Sequence, residues 1–372
     1  MNSKERVICA IEHEEPDRIP LEGIAWGEWS YPFLKNVLIP YFKTEELDVI
    51  LENLGIDFRS ISMEPSNNFK KKAIYDPRFH YPWGILVAPE TLKDEWGVIR
   101  KLNITKNQSR IIYHPLKDKE DLKDYEFPNI EEDGRFDTAE KLVKKYKDKY
   151  AISAIWGGDS FFCQSWYLRG FNEFIKDLYY NEKFANELLD NLLKIFSYAT
   201  KRLIEIGTDI ICIADDIAMQ KGMIISPFIF RKYIKPRMKK IIDICKKEKV
   251  YVVFHTDGNC EEIIPDLIEI GIDILNPIQP ECMDPAKIKE KYGDKITLSG
   301  TISIQKTLPY GTIEDVKNEV MKRIETCAYN GGFILSPSNQ VLLDVKIENF
   351  IALYEFAKKY GKYPIYLRER KK

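Results

Sequence analysis

Histidine is scarce in this chain, with four residues in 372, so any histidine at a polar strand end stands out. The seven cysteines (Cys9, Cys163, Cys212, Cys245, Cys260, Cys282, Cys327) are an odd number and show no CxxC spacing. That pattern gives no signature of a CxxC zinc cluster or a disulfide framework, and suits mostly small reduced core residues. No apolar run has the length to cross a bilayer, and MNSKERVICAIEHEEPDRIP has no apolar signal region, so a cytoplasmic protein without a membrane partner is expected. Neither sign of charge dominates: 56 Lys and Arg stand against 58 Asp and Glu, a formal net charge of −2. Nothing in that balance attracts nucleic acid. GxGxxG and GKS are absent, Gly157-Gly158 being only a superficial likeness, so no nucleotide cofactor is expected. A linker rich in Gly, Pro or Ser is also missing, which points to one domain over residues 1–372.

What the chain does have is a repeated unit: a β-rich run, a polar or glycine-rich ending, then a helical segment. The runs are RIPLEGI (18–24), IDFRSISM (56–63), YAISAIWGG (150–158), DIICIADD (209–216), VYVVFHTDG (250–258), DILNPIQP (273–280), ITLSGT (296–301) and FILSPSN (333–339). Between them, NEKFANELLDNLLKIFSYATKRLIEIG has apolar residues at helical spacing and stops at Gly207, and SPFIFRKYIKPRMKKIIDICKKEK opens on a Ser226-Pro227 start signal. Alternating strands and helices imply parallel pairing. Eight units imply an α/β fold of the (β/α)8 TIM-barrel type, with a doubly wound open sheet as the alternative. The rhythm breaks between residues 64 and 149, which reads as an insertion after strand 2, above the barrel mouth.

In such barrels the strand C-termini hold the active site. The polar endings that line this face are Glu22, Glu64, Asp215, Asp216, His255, Asp257, Asn276, Gln279, Ser299, Ser338 and Asn339. His255 and Asp257 are two apart on one strand, so their side chains point the same way. They can bind a metal, move a proton, or close a turn, since Asp257-Gly258 is a common turn pair. Asp215 and Asp216 are adjacent, so only one faces the cavity; Asp215 is taken as the catalytic member. Trp26, Trp29, Trp83, Trp96, Trp156 and Trp166 cluster in strand-end or insertion segments, where they pack the core or wall a flat apolar substrate.

The segments ADDIAMQKGMIISPFIFRKYIKPRMKKII, FHTDGNCEEIIPDLIEIGIDILNPIQPECMDPAKIKEKYGDKITLSGTISIQKTLP and GGFILSPSNQVLLDVKIENFIALYEFAKKYGKYP resemble the uroporphyrinogen decarboxylase superfamily. That superfamily contains haem-pathway decarboxylases and methyltransferases that serve corrinoid proteins, and its fold is a (β/α)8 barrel. The decarboxylases carry an arginine-rich motif of the type RQAGRY, suited to gripping carboxylates bidentately. The corresponding stretch here, EGIAWGEWSYP, has no arginine, and Ser165-Trp166-Tyr167-Leu168-Arg169-Gly170 puts Trp166 where their T-Y-x-x-E-G tyrosine stands. Their catalytic aspartate, in F-S-D-I-L, aligns with Glu64. The zinc methyltransferases bind metal through H-x-C after the fifth strand and a cysteine after the eighth. Here His255-Thr256-Asp257 and Ser336-Pro337-Ser338-Asn339 keep the histidine and lack both sulfurs.

The resemblance therefore implies a methyltransferase that passes a methyl group from a small methyl ether or methylamine to a separate corrinoid protein, with a porphyrinogen-type carboxy-lyase as runner-up and a non-catalytic tetrapyrrole- or corrinoid-protein-binding barrel third. Its catalytic residues would be Glu64, Asp215, His255 and Asp257, with His255, Asp257 and Glu64 able to hold zinc through nitrogen and oxygen. Cys260 and Cys282 are candidate replacements for the missing thiolates. Substrate would meet Trp26, Trp156, Trp166, Gln220, Ser338 and Asn339. The corrinoid would stay on the partner, because no D-x-H-x-x-G cobalamin motif is present.

Overall fold

A computed structural model describes residues 1–23, 31–79, 81–103, 108–118 and 122–366. Six parallel strands lie side by side in the order Phe58–Ser62, Ala151–Ile155, Ile210–Ala214, Tyr251–His255, Ile274–Asn276 and Thr297–Leu298. Two shorter extended stretches close the ring. Residues 18–22 join the first of these strands through Asp57 N to Leu21 O (2.9 Å), and join residues 333–337 through Leu335 N to Pro20 O (3.0 Å) and Glu22 N to Leu335 O (3.1 Å). On the other side Ile334 N donates to Leu298 O at 2.9 Å. The chain forms the expected eight-stranded barrel, and each of the eight expected runs supplies one of its staves.

Strands such as Ile210–Ala214 (IICIA) are buried along their whole length. Apolar side chains on both faces suit a parallel sheet that has a packed barrel interior on one side and helices on the other. Helix Glu182–Ile206 buries Leu188, Leu189, Leu192, Phe196, Ala199 and Leu203, the stripe its spacing predicts. Ser226 caps the next helical segment, its hydroxyl accepting from Ile229 N. That segment differs from the single helix expected: Phe230–Ile234 forms a π-turn before the α-helix Lys235–Lys247 resumes. The wide turn sits directly before Pro236, which has no N–H and whose ring would crowd a regular helix one turn back.

The insertion contains a five-stranded antiparallel sheet in the order Ile74–Tyr75, Trp83–Ala88, Thr91–Lys93, Ile99–Asn103 and Gln108–Tyr113. It is tied to helix Phe161–Arg169 of the barrel. The Arg100 guanidinium pairs with buried Asp94 and lies 4.4 Å from the Tyr81 ring and 5.1 Å from the Tyr167 ring. Tyr81 donates its hydroxyl to Gln164 Oε1 at 3.0 Å. At the opposite end of the barrel Asp57 is fully buried and takes Arg6 Nη1 (2.8 Å), Arg18 Nη1 (2.7 Å) and Leu21 N (2.8 Å). Among the described residues, no helix is long and apolar enough to cross a membrane.

Candidate functional site

The fifth strand, Tyr251–His255, delivers His255 to the barrel mouth, where it is 6% exposed. Two residues on, Asp257 brings Oδ1 to 3.8 Å from His255 Nε2, as the alternation of a strand requires. The chain then turns at Gly258 with φ +90°, and a Cβ there would stand 2.5 Å from the Met219 backbone, so only glycine fits. Asp257 thus opens the turn and faces His255 as well.

The third member of the cluster is Asp216. Its Oδ1 accepts from Asp257 N at 2.8 Å. Asp216, His255 and Asp257 each offer a ligand atom, and these atoms lie within 4.8 Å of one another. Asp257 Oδ2 accepts from Asn339 Nδ2, whereas its Oδ1 is buried and has no hydrogen-bond partner among the described residues. One imidazole nitrogen, two carboxylates and an orphaned buried oxygen suit a divalent cation that takes nitrogen and oxygen donors.

Burial and the charge of Asp257 push Asp216 up to about 6, against the opposing pull of His255. Burial also raises Asp257, again opposed by His255. Burial pulls the His255 imidazole down, but the carboxylates of Asp257 and Asp216 outweigh it and the net shift is upward.

Behind the cluster His255 Nδ1 sits 2.7 Å from Asn276 Oδ1. Asn276 Nδ2 donates to Ser299 Oγ (3.0 Å), and Ser299 Oγ donates to Glu22 Oε2 (3.0 Å). Burial raises the Glu22 carboxyl, opposed by its hydrogen bond from Ser299. Gln279 Oε1 accepts from Gly258 N at 3.3 Å and steadies the turn.

Several expected site residues stand elsewhere. Asp215 is fully buried, and its carboxylate accepts from Phe162 N and Cys163 N, both at 2.8 Å, at the start of helix Phe161–Arg169. Of the adjacent pair it is therefore Asp216, not Asp215, that reaches the cluster. Glu64 is not in the group either. It pairs with Lys70 (3.1 Å) and lines a separate cleft with Tyr81, Trp83, Trp96 and Arg135 between the barrel and the inserted sheet. Trp156 is 3% exposed, stacks on Phe196 at 4.5 Å and donates Nε1 to Thr200, so it packs the core, although its edge also borders that cleft. Trp166 packs against Tyr167 and Phe171. Gln220 is exposed and donates to Gln305 (3.1 Å). Ser338 is buried with a hydroxyl that has no hydrogen-bond partner among the described residues, and Asn339 touches Asp257. Trp26 lies outside the described residues. Neither Cys260 nor Cys282 joins the ligand group, and burial raises both thiols, Cys260 to about 12.

Asp159 was not singled out by the sequence. It follows the Gly157-Gly158 ending of the third barrel strand, is 8% exposed, and accepts the Tyr167 hydroxyl at 2.6 Å. Its charge adds to the upward pressure on Asp216, Asp257 and His255. Its place after a strand end was the available signal, masked by the turn-like glycines before it.

The family model for uroporphyrinogen decarboxylase (URO-D) matches residues 80–360. Among solved structures, a methyltransferase from Methanosarcina mazei superposes with a TM-score of 0.70 at 19% identity, covering 97% of this chain and 99% of the other. A B12-independent methionine synthase from Shewanella sp. W3-18-1 gives a TM-score of 0.40 at 16% identity, covering 60% of this chain and 67% of the other. At 19% identity the first likeness is one of fold. No curated protein matches the chain significantly.

Proposed function

The chain belongs to the uroporphyrinogen decarboxylase family, and from that premise we propose that it is a methyltransferase, moving a methyl group from a small methyl ether or methylamine to a corrinoid protein. One observation carries this reading over decarboxylation. Glu22, Asp216 and Asp257 crowd the barrel mouth around His255, and among the described residues no lysine or arginine is bonded to any of the three. A substrate bearing several carboxylates would meet like charge there, and buried charges without partners are strongly unfavourable. A neutral or cationic methyl donor meets no such barrier.

Asp216, His255 and Asp257 would hold the metal, zinc being the candidate, which when bound supplies an electrophilic pull on the heteroatom that loses its methyl group. The chain's own residues orient these three side chains: Asn339 fixes Asp257, the Asp257 backbone fixes Asp216, and Asn276 fixes the imidazole. The nucleophile would be the cobalt of the partner, so this barrel needs an open mouth and no nucleophile of its own.

The test is methylcobalamin formation from cob(I)alamin and a panel of methyl ethers and methylamines, run beside uroporphyrinogen. Methylation of cobalt by at least one donor is the expected result. Release of carbon dioxide from uroporphyrinogen with no cobalt methylation by any donor would favour the lyase instead.

A further inference from the structure

We infer that Glu22, three hydrogen bonds away, sets the tautomer of His255 and so aims the Nε2 lone pair at Asp216 and Asp257. Ser299 Oγ donates to Glu22 Oε2 at 3.0 Å, since a carboxyl oxygen that bears no proton only accepts. A hydroxyl has one proton. With that proton committed, Ser299 Oγ can only accept from Asn276, which turns the amide nitrogen of Asn276 toward it at 3.0 Å. The carbonyl end then faces His255, and Asn276 Oδ1 meets Nδ1 at 2.7 Å. A carbonyl oxygen accepts, so Nδ1 bears the proton and Nε2 of the neutral ring keeps its lone pair.

Ser336 leaves this direction intact. Its Oγ accepts from Gly300 N at 2.9 Å and lies 3.1 Å from Ser299 Oγ, so its own proton is free to go to Ser299 or Glu22. The series orients the imidazole and does not conduct protons, because an amide link neither gains nor releases one readily. Glu22, Ser299 and Asn276 are positioning residues. The proposal rests on the methyltransferase reading only in giving Nε2 a metal to bind; the tautomer follows from the hydrogen bonds alone.

The test is 15N NMR of histidine-labelled, metal-free protein at a pH where the ring is neutral, with His255 assigned by loss of its signals in His255→Gln. Wild type should show Nδ1 protonated and Nε2 unprotonated. Glu22→Gln can donate or accept at Ser299, so it should admit the second tautomer, and Ser299→Ala, which cuts the series one link nearer, should do the same. Asn276→Asp keeps an acceptor at Nδ1 and should hold the wild-type tautomer. Zinc affinity should fall about 10- to 100-fold in Asn276→Leu, the usual effect of losing such support behind a ligand. A protonated Nε2 in wild type, or unchanged signals in both Glu22→Gln and Ser299→Ala, would overturn the inference. If wild type binds no zinc and methylates no cobalt, the functional reading fails while the NMR result still decides this one.

Discussion

Asp215 and Asp216 adjoin in the chain and turn their carboxylates to different ends: Asp215 accepts two backbone N–H groups of helix Phe161–Arg169 at 2.8 Å, and Asp216 accepts from Asp257 N beside His255. The split predicts opposite phenotypes. Asp215→Ala leaves two buried donors unpaired, which should lower stability by about 2–4 kcal/mol in urea unfolding. Asp216→Asn keeps the shape of the mouth and should reduce methyl transfer by about 100-fold or more with little change in melting temperature. A fully active Asp216→Asn protein would remove Asp216 from the chemistry.

Stability at the other end of the barrel hangs on Asp57. Its fully buried carboxylate meets Arg6, Arg18 and the backbone of Leu21. Asp57→Ala would take from Arg18 the carboxylate it pairs with and leave Arg6 with Asp17 alone. Breaking one partner of a buried ion pair is expected to destabilise by roughly 3–5 kcal/mol. The residue is far along the strands from the mouth, so protein that does fold should retain its zinc affinity. An unfolding midpoint equal to wild type would show that the network contributes nothing net.

Lys289 gives stability a pH dependence of definite sign. It is 4% exposed, its Nζ donates to Gly331 O (2.7 Å) and Gly293 O (3.2 Å), and burial pulls its pKa down to about 8 from 10.5. Between those values the unfolded chain binds the extra proton, so this group's contribution rises as pH rises through the window. Below the folded value the penalty is fully present. The gain from about pH 7 to about pH 9.5 should be roughly 2 kcal/mol. Tyrosines also titrate near the top of that range, so the measurement is the difference between wild type and Lys289→Met in urea unfolding at the two pH values. No difference in slope between them would refute it.

The barrel was legible because each stave is a short apolar run followed by polar residues and a helix, as in DIICIADD and VYVVFHTDG, and that rhythm survives without any tertiary information. The His255–Asp257 pair was legible for a similar reason, since the period of a strand fixes which side chains share a face. The choice between Asp215 and Asp216 was not, because alternation says that they part without saying which way the strand is rolled. Glu64 misled because a strand-end carboxylate can turn outward to a neighbouring cation, here Lys70. Asn276, Ser299 and Glu22 come from the sixth, seventh and first staves, and a hydrogen-bond series across separate strands leaves no spacing in the sequence. The antiparallel sheet in the insertion was equally hidden behind mixed hairpins of low periodicity.

The HTDG turn yields the last prediction. His255 has Nδ1 engaged by Asn276 and Nε2 facing two carboxylates, so a cation there gains one nitrogen and two oxygens. His255→Ala should abolish zinc binding and methyl transfer while leaving the melting temperature within a few degrees, since the side chain closes the mouth and does not fill the core. Asp257→Cys exchanges a carboxylate for a thiolate two residues from the histidine. A thiolate is the softer ligand, so zinc affinity should rise, and the gain should be smaller for a harder ion such as manganese. The same change removes the acceptor of Asn339 Nδ2, so Asn339→Ala in the Asp257→Cys background should alter affinity less than it does in wild type. Isothermal titration with zinc and manganese on wild type, the three single variants and the double variant reads the affinities, and a methyl-transfer assay and thermal melts read the rest. If His255→Ala retains zinc and activity with every donor that wild type accepts, the histidine only closes a turn; if Asp257→Cys binds zinc no better than wild type, Asp257 is not a ligand, and its remaining role is to polarise the imidazole.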